Sequence, residues 1–104
     1  MVLYVMKWDI LPDKVEAYRE WAQSAIRRTV AAPGVVEFRG YRPATGSSQV
    51  VVTYEFANLA AWSTWDAHED VQQVLNELRT LTTNVSIELW GPSPIVPEPI
   101  RPGK

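Results

Sequence analysis

Residues 2–10 alternate like a strand, with Val2, Tyr4, Met6, Trp8 and Ile10 on one face. Leu11-Pro12-Asp13 breaks the alternation. Asp13 with Glu16 three residues later reads as a variant capping box, and from Val15 the spacing becomes helical. Val15, Tyr18, Ala22, Ala25, Ile26 and Val30 share one stripe. Arg27 and Arg28 fall in the closing turns, where cations oppose the negative end of the helix dipole, and Pro33-Gly34 ends the helix.

Two further strands, residues 35–42 and 49–56, flank a loop over 43–48 whose Gly46 and small polar residues suit a longer hairpin connection. Asn58 is a good N-cap for a second helical stretch that bends near 66–70. It continues with Val71, Val74, Leu75, Leu78 and Leu81 on one face. Asn84 marks its exit, and Val85, Ile87 and Leu89 alternate along a last strand. After Gly91 come five of the eight prolines, a density that forbids both helix and sheet ladder. The expected division is therefore a folded domain over residues 1–91 and a proline-rich tail over 92–104. The element order βαββαβ predicts an α+β, ferredoxin-like fold: a four-stranded antiparallel sheet with helices on one face.

Two helices cover only one face of such a sheet. The uncovered face should then be polar, yet it is expected to carry Leu3, Val5, Val35, Tyr41, Val51 and Trp90 among its charges. An antiparallel sheet bared to water alternates more cleanly than this. The pattern predicts a homodimer joined through the sheet face, with closed twofold symmetry.

Composition narrows the chemistry. The 104 residues fit one domain, and 46% apolar with 21% charged is the balance of a globular chain. There is no cysteine and one histidine, His68, so disulfides, thiolate nucleophiles, iron–sulfur clusters and any intrachain site needing two imidazoles are excluded. A net charge of −2 is the wrong balance for a phosphate-binding surface, and the strands lack the aromatic–basic signature of an RNA-binding sheet. No nucleic-acid partner is expected. The apolar start is interrupted by Lys7 and Asp9 and lacks a basic leader, so no export signal is read and a cytoplasmic location is the default expectation. No run approaches the ~20 apolar residues of a membrane span.

The passage Val51-Val-Thr-Tyr-Glu-Phe-Ala-Asn-Leu-Ala-Ala-Trp62 and the following His68-Glu-Asp-Val-Gln72, together with the element order, resemble the antibiotic-biosynthesis-monooxygenase-like family of dimeric α+β barrel proteins. Family members end the third strand with an acidic–aromatic pair, here Glu55-Phe56, and open the next helix with a small polar residue and an alanine–aromatic pair, here Asn58 and Ala61-Trp62. Pro33-Gly34 before the second strand is also typical. The resemblance spans residues 2–90 and implies the dimeric barrel. It includes quinone-forming oxygenases that use no metal or cofactor. The heme-degrading branch uses an asparagine on the first strand, a tryptophan ending the third and a histidine on the second long helix. Lys7, Trp8 and Asp9, then Phe56, then Val74 and Leu75 stand there instead, so that triad is not reproduced.

His68 is the one side chain whose unperturbed pKa lies near neutrality, and a neighbouring carboxylate in Asp66-Ala-His-Glu-Asp70 could orient it as a general base. The alternative is a solvated histidine in an acidic loop. Trp62 and Trp65, three apart on one helical side, could wall a pocket for a flat aromatic substrate or be large core residues. Tyr18 and Tyr54 could hydrogen-bond a substrate oxygen or find a partner within the protein. Glu37, Arg39, Glu55 and Glu88 could line a charged pocket on the sheet face, but are expected as cross-strand ion pairs. Asp66, His68, Glu69 and Asp70 have a spacing that suits no particular metal ion. Two functions stay open: a metal-free monooxygenase acting on an aromatic or quinol-like molecule, and a non-catalytic small-ligand-binding or assembly module of the same fold.

Overall fold

The computed structural model describes residues 1–103. Four strands, β1 (Val2–Ile10), β2 (Val35–Tyr41), β3 (Val50–Phe56) and β4 (Thr82–Trp90), make one antiparallel sheet in the order β2-β3-β1-β4. Helices α1 (Val15–Ala31), α2 (Leu59–Asp66) and α3 (Glu69–Leu81) complete it. The architecture is the expected α+β, ferredoxin-like one, with the second helical stretch divided in two. β1 occupies the centre because it is apolar on both faces. Val5, which points away from the helices, is only 1% exposed.

The helix-covered face follows the register. Val2, Tyr4, Met6 and Trp8 stand opposite Phe56, Tyr54, Val52 and Val50, and Phe38 stands opposite Tyr54 on the other side of β3. Two bulges depart from the sequence pattern. In β2 the register slips between Val35 and Glu37, so Val35 packs against the core beside Phe56. This reverses the uncovered-face position expected of Val35 and leaves its neighbour Val36 60% exposed. In β4 three residue steps oppose two in β1 between Lys7 and Asp9, and the bulged strand contains Asn84 at φ 55°. Asparagine tolerates that left-handed backbone. Asn84 is thus a bulge residue within β4 and not the exit from α3, because the strand already begins at Thr82. Its amide donates to Asp9 Oδ2 (3.0 Å), while Asp9 Oδ1 accepts from the Gln49 backbone N–H (2.9 Å).

The capping box at Asp13 does not form. Pro12–Lys14 make a short 3-10 turn with no side-chain cap, and Leu11 accepts from the Lys14 N–H (2.9 Å). A proline fixed for a helical start lets the backbone do the work intended for the carboxylate. The buried line of α1 runs through Ala25 and Thr29, whereas Val15, Ile26 and Val30 are partly bare. Gly34, at φ +115°, turns the chain into β2 where a Cβ would meet the Ala61 carbonyl at 3.3 Å. Asn58 caps α2 as expected, its Oδ1 accepting from the Ala61 N–H (2.8 Å).

Beyond Trp90 no helix or strand occurs among the described residues. Ser93 Oγ accepts from the N–H groups of Ile95 and Val96 (3.1 and 3.3 Å), while Ile95 and Ile100 lie almost entirely bare. Among the same residues no helix is long and apolar enough to cross a membrane.

Candidate functional site

A cavity of about 60 Å³ lies between the covered face of the sheet and the seam of α1 with α3. Its floor includes Met6, Trp8, Val52 and Tyr54; its walls include Tyr18 and Trp21 from α1 and Leu75 and Leu78 from α3. Phe38 and Trp65 close the side nearest α2. That volume has room for a few waters and lies well below the roughly 150 Å³ of a cavity that binds benzene.

Few polar atoms reach this space, and each is engaged by a neighbour. Trp8 Nε1–H donates to the Tyr18 hydroxyl (3.2 Å). Thr29 Oγ1 donates to the Ile26 carbonyl (3.1 Å) and lies 2.9 Å from the Tyr54 hydroxyl. A threonine hydroxyl has one proton, so with that proton on Ile26 the Tyr54 O–H donates to Thr29. Trp65 Nε1–H donates to the Thr29 carbonyl (2.9 Å). Around these bonds the rings pack tilted, Tyr54 against Trp65 at 4.8 Å and against Phe38 at 4.9 Å between centroids.

The phenols are donors at neutral pH. Burial pushes Tyr54 up to about 12, against the pull of its Thr29 hydrogen bond. Burial likewise raises Tyr18, opposed by the bond from Trp8. Since Tyr18 accepts from Trp8, its own O–H remains free to donate to an oxygen placed in the cavity.

The residues singled out from the sequence are therefore divided. Tyr18 and Trp65 meet at the cavity, and Trp65, 1% exposed, is also the largest buried side chain of the core. Trp62 lies on the other side, its ring 6.0 Å from Tyr4, and its buried Nε1 has no hydrogen-bond partner. His68 does not line the cavity. It caps α3, its Nδ1 accepting from the Asp70 N–H (3.2 Å). Thr29 was passed over in the sequence because its hydroxyl interrupts the apolar stripe; only its place one turn after Ala25 pointed inward.

Three side chains join α1 to α3 at the cavity rim. Glu77 of α3 accepts from Trp21 Nε1 (2.7 Å) and pairs with both terminal nitrogens of Arg28. The hydrogen bonds from Arg28 and then Trp21 hold the Glu77 carboxyl below the usual carboxylate range.

The opposite face is of another kind. Arg39 pairs with Glu37 two residues away on its own strand (2.7 Å), and Glu88 accepts from Trp90 Nε1 (2.8 Å). Glu55 stands directly opposite Glu37 in register. In place of the expected cross-strand pairs there is one same-strand ion pair, because the β2–β3 register sets Glu37 across from Glu55 and Arg39 across from Thr53. Among the described residues no group of three or more His, Cys, Asp or Glu could hold a metal ion.

A four-stranded antiparallel sheet with an aromatic, hydroxyl-dotted cavity under its helices defines an α+β protein of the ferredoxin-like class. The model of the antibiotic biosynthesis monooxygenase family matches residues 1–77, and the chain belongs to that family. Its fold is shared with SnoaB, a cofactor-independent oxygenase from Streptomyces nogalater, at 20% identity and a TM-score of 0.70, covering 93% of this chain and 97% of that one. A dabb family protein with a ferredoxin-like fold from Mesorhizobium loti gives 16% identity and 0.78, covering 88% and 96%. A dimeric ferredoxin-like protein of unknown function from Thermobifida fusca gives 11% and 0.72, covering 86% and 88%. No curated protein matches the sequence.

Proposed function

We propose that the protein is a metal-free monooxygenase that converts a phenolic or quinol-like aromatic molecule to a quinone. The observation that carries this reading is the cavity itself: aromatic walls with the Tyr18 hydroxyl as a free donor. In the reaction one oxygen atom of dioxygen becomes the new carbonyl, the other leaves as water, and the substrate supplies all four electrons. The chain's part is to stack the ring, exclude water and hold the substrate oxygen by hydrogen bonds. Tyr18 donates one such bond from the cavity wall. No base lines the cavity, so the substrate enters as its phenolate or enolate with its proton left to solvent. The similarity in fold to a cofactor-independent oxygenase supports the same reading.

One observation favours the alternative, a non-catalytic ligand-binding or assembly module: Trp65 is fully packed and fills space a substrate would need. Oxygen uptake decides between them. With a dihydroxynaphthalene in air, the enzyme reading expects dioxygen consumption matched by quinone formation, reduced about tenfold in Tyr18→Phe by loss of one donor to a charged oxygen. Uptake no faster than in buffer would leave the module.

We also infer a homodimer through the open sheet face. Leu3, Val5, Val51, Tyr41 and Trp90 share that face, with Tyr41 and Trp90 about half exposed in the single chain. A second copy laid across it would bury at least ~1,200 Å², the area a stable interface needs. A dimeric protein of the same fold supports this reading.

A further inference from the structure

At about 60 Å³ the cavity is smaller than one that binds benzene, so a wall has to yield for an aromatic ring to be enclosed. The floor is a sheet in which β1 is hydrogen-bonded on both sides, to β3 without a break and to β4 with one bulge. Among the walls, α3 buries Val71, Val74, Leu75 and Leu78 along its 13 residues. By contrast α1 buries only Ala25 and Thr29 along its 17. Helix α1 is thus held by fewer fully buried side chains than α3, its apolar hold coming mainly from the half-buried Tyr18 and Trp21. What holds it across the cavity rim is polar and concentrated: Trp21 and Arg28, two turns apart on α1, converge on the single carboxylate of Glu77. Trp21 is itself part of the cavity wall, so this bond network fixes the ring that a ligand must pass.

We propose that α1 is the movable wall of the cavity and that Glu77 is its latch, admitting a flat aromatic molecule when its grip on Trp21 and Arg28 opens. The inference rests on the proposed pocket for its ligand class, but the latch has a readout of its own. Hydrogen exchange reports local opening of a helix apart from the global unfolding of the core. In Glu77→Ala the amides of α1 should exchange faster by about tenfold, the low end of what losing charge-assisted hydrogen bonds at a part-exposed site implies. Those of β1 and β3 should be unchanged. Glu77→Gln, which keeps an acceptor for Trp21, should fall between. Stopped-flow binding of 1-naphthol, followed by tryptophan fluorescence, should show association and dissociation both faster by a similar factor in Glu77→Ala, with the equilibrium constant changed less.

Exchange in α1 equal to that of the unmodified protein would overturn the latch, as would acceleration of β1 and β3 as great as that of α1. Equal 1-naphthol association rates in the two proteins would overturn it as well. Failure of 1-naphthol to bind either protein would speak against the pocket, while the exchange of α1 would still decide the latch.

Discussion

The two faces of the sheet solve the same problem in different ways. Toward the helices, large rings fill the space and most of their polar atoms bond within the chain, as Trp65 with the Thr29 carbonyl and Tyr54 with the Thr29 hydroxyl. Toward the open side, small branched residues sit among charges, and exposed Trp90 and Tyr41 stand at the margins. One face is complete within the chain; the other has apolar area that no element of the chain covers. The difference separates what stabilises a subunit from what would join two.

The largest expected effect lies on the covered face. Trp65→Ala removes the biggest buried ring and strands the Thr29 carbonyl, so a loss of at least about 3–5 kcal/mol is expected. Urea unfolding measures it; a loss below about 1 kcal/mol would mean this face is not the core. The open face is tested by Val51→Asp. In a dimer sealed through that face, an unpaired buried charge costs about 3–5 kcal/mol and splits or unfolds the assembly. On a bare surface the same change falls within about 0.5 kcal/mol. Sedimentation distinguishes the outcomes, and a stable monomer near 11.8 kDa for the unmodified protein would remove the basis of the dimer. The smallest effect belongs to neither face. His68→Ala deletes the cap of α3 at a cost of about 0.5–2 kcal/mol in thermal or urea unfolding. Turnover, corrected for folded protein, should hold within about twofold, against the 10²–10⁴-fold loss, roughly, of a removed general base.

The elements of the fold were legible in the sequence because each strand and helix keeps one hydrophobic period over most of its length. What escaped was local. A bulge inserts one residue and reverses the parity of everything beyond it, so Val36 moved outward and Val35 inward. The start of α1 escaped because proline and aspartate in succession signal a helix opening in two different ways, and the backbone turn prevailed. At the site, Tyr18 and Trp65 were visible as aromatic residues at inward helical positions. Thr29 and the Glu77 cluster were not, since a threonine within an apolar stripe and a carboxylate on an outward-leaning helix position carry no mark until a partner helix is placed. His68 drew notice for its titration range, yet a histidine two residues before Asp70 also has the geometry to accept that residue's N–H.

The strand order has a consequence for how the chain comes into being. The central strand, β1, is made early but finds its neighbours late: Leu3 pairs with Glu55 on one side and with Trp90 on the other. At a synthesis rate of ~5–20 residues per second, about 4–18 s separate the appearance of β1 from that of its last partner. Until β3 appears, about halfway through that interval, Tyr4, Val5, Met6 and Trp8 have neither edge of their strand paired, and one edge stays open until β4 follows. Contacts so distant in sequence are slow to form even in a finished chain. The protein is thus exposed to mispairing chiefly while it is being made, and the residues that make its sheet firm when finished are those most in need of protection beforehand.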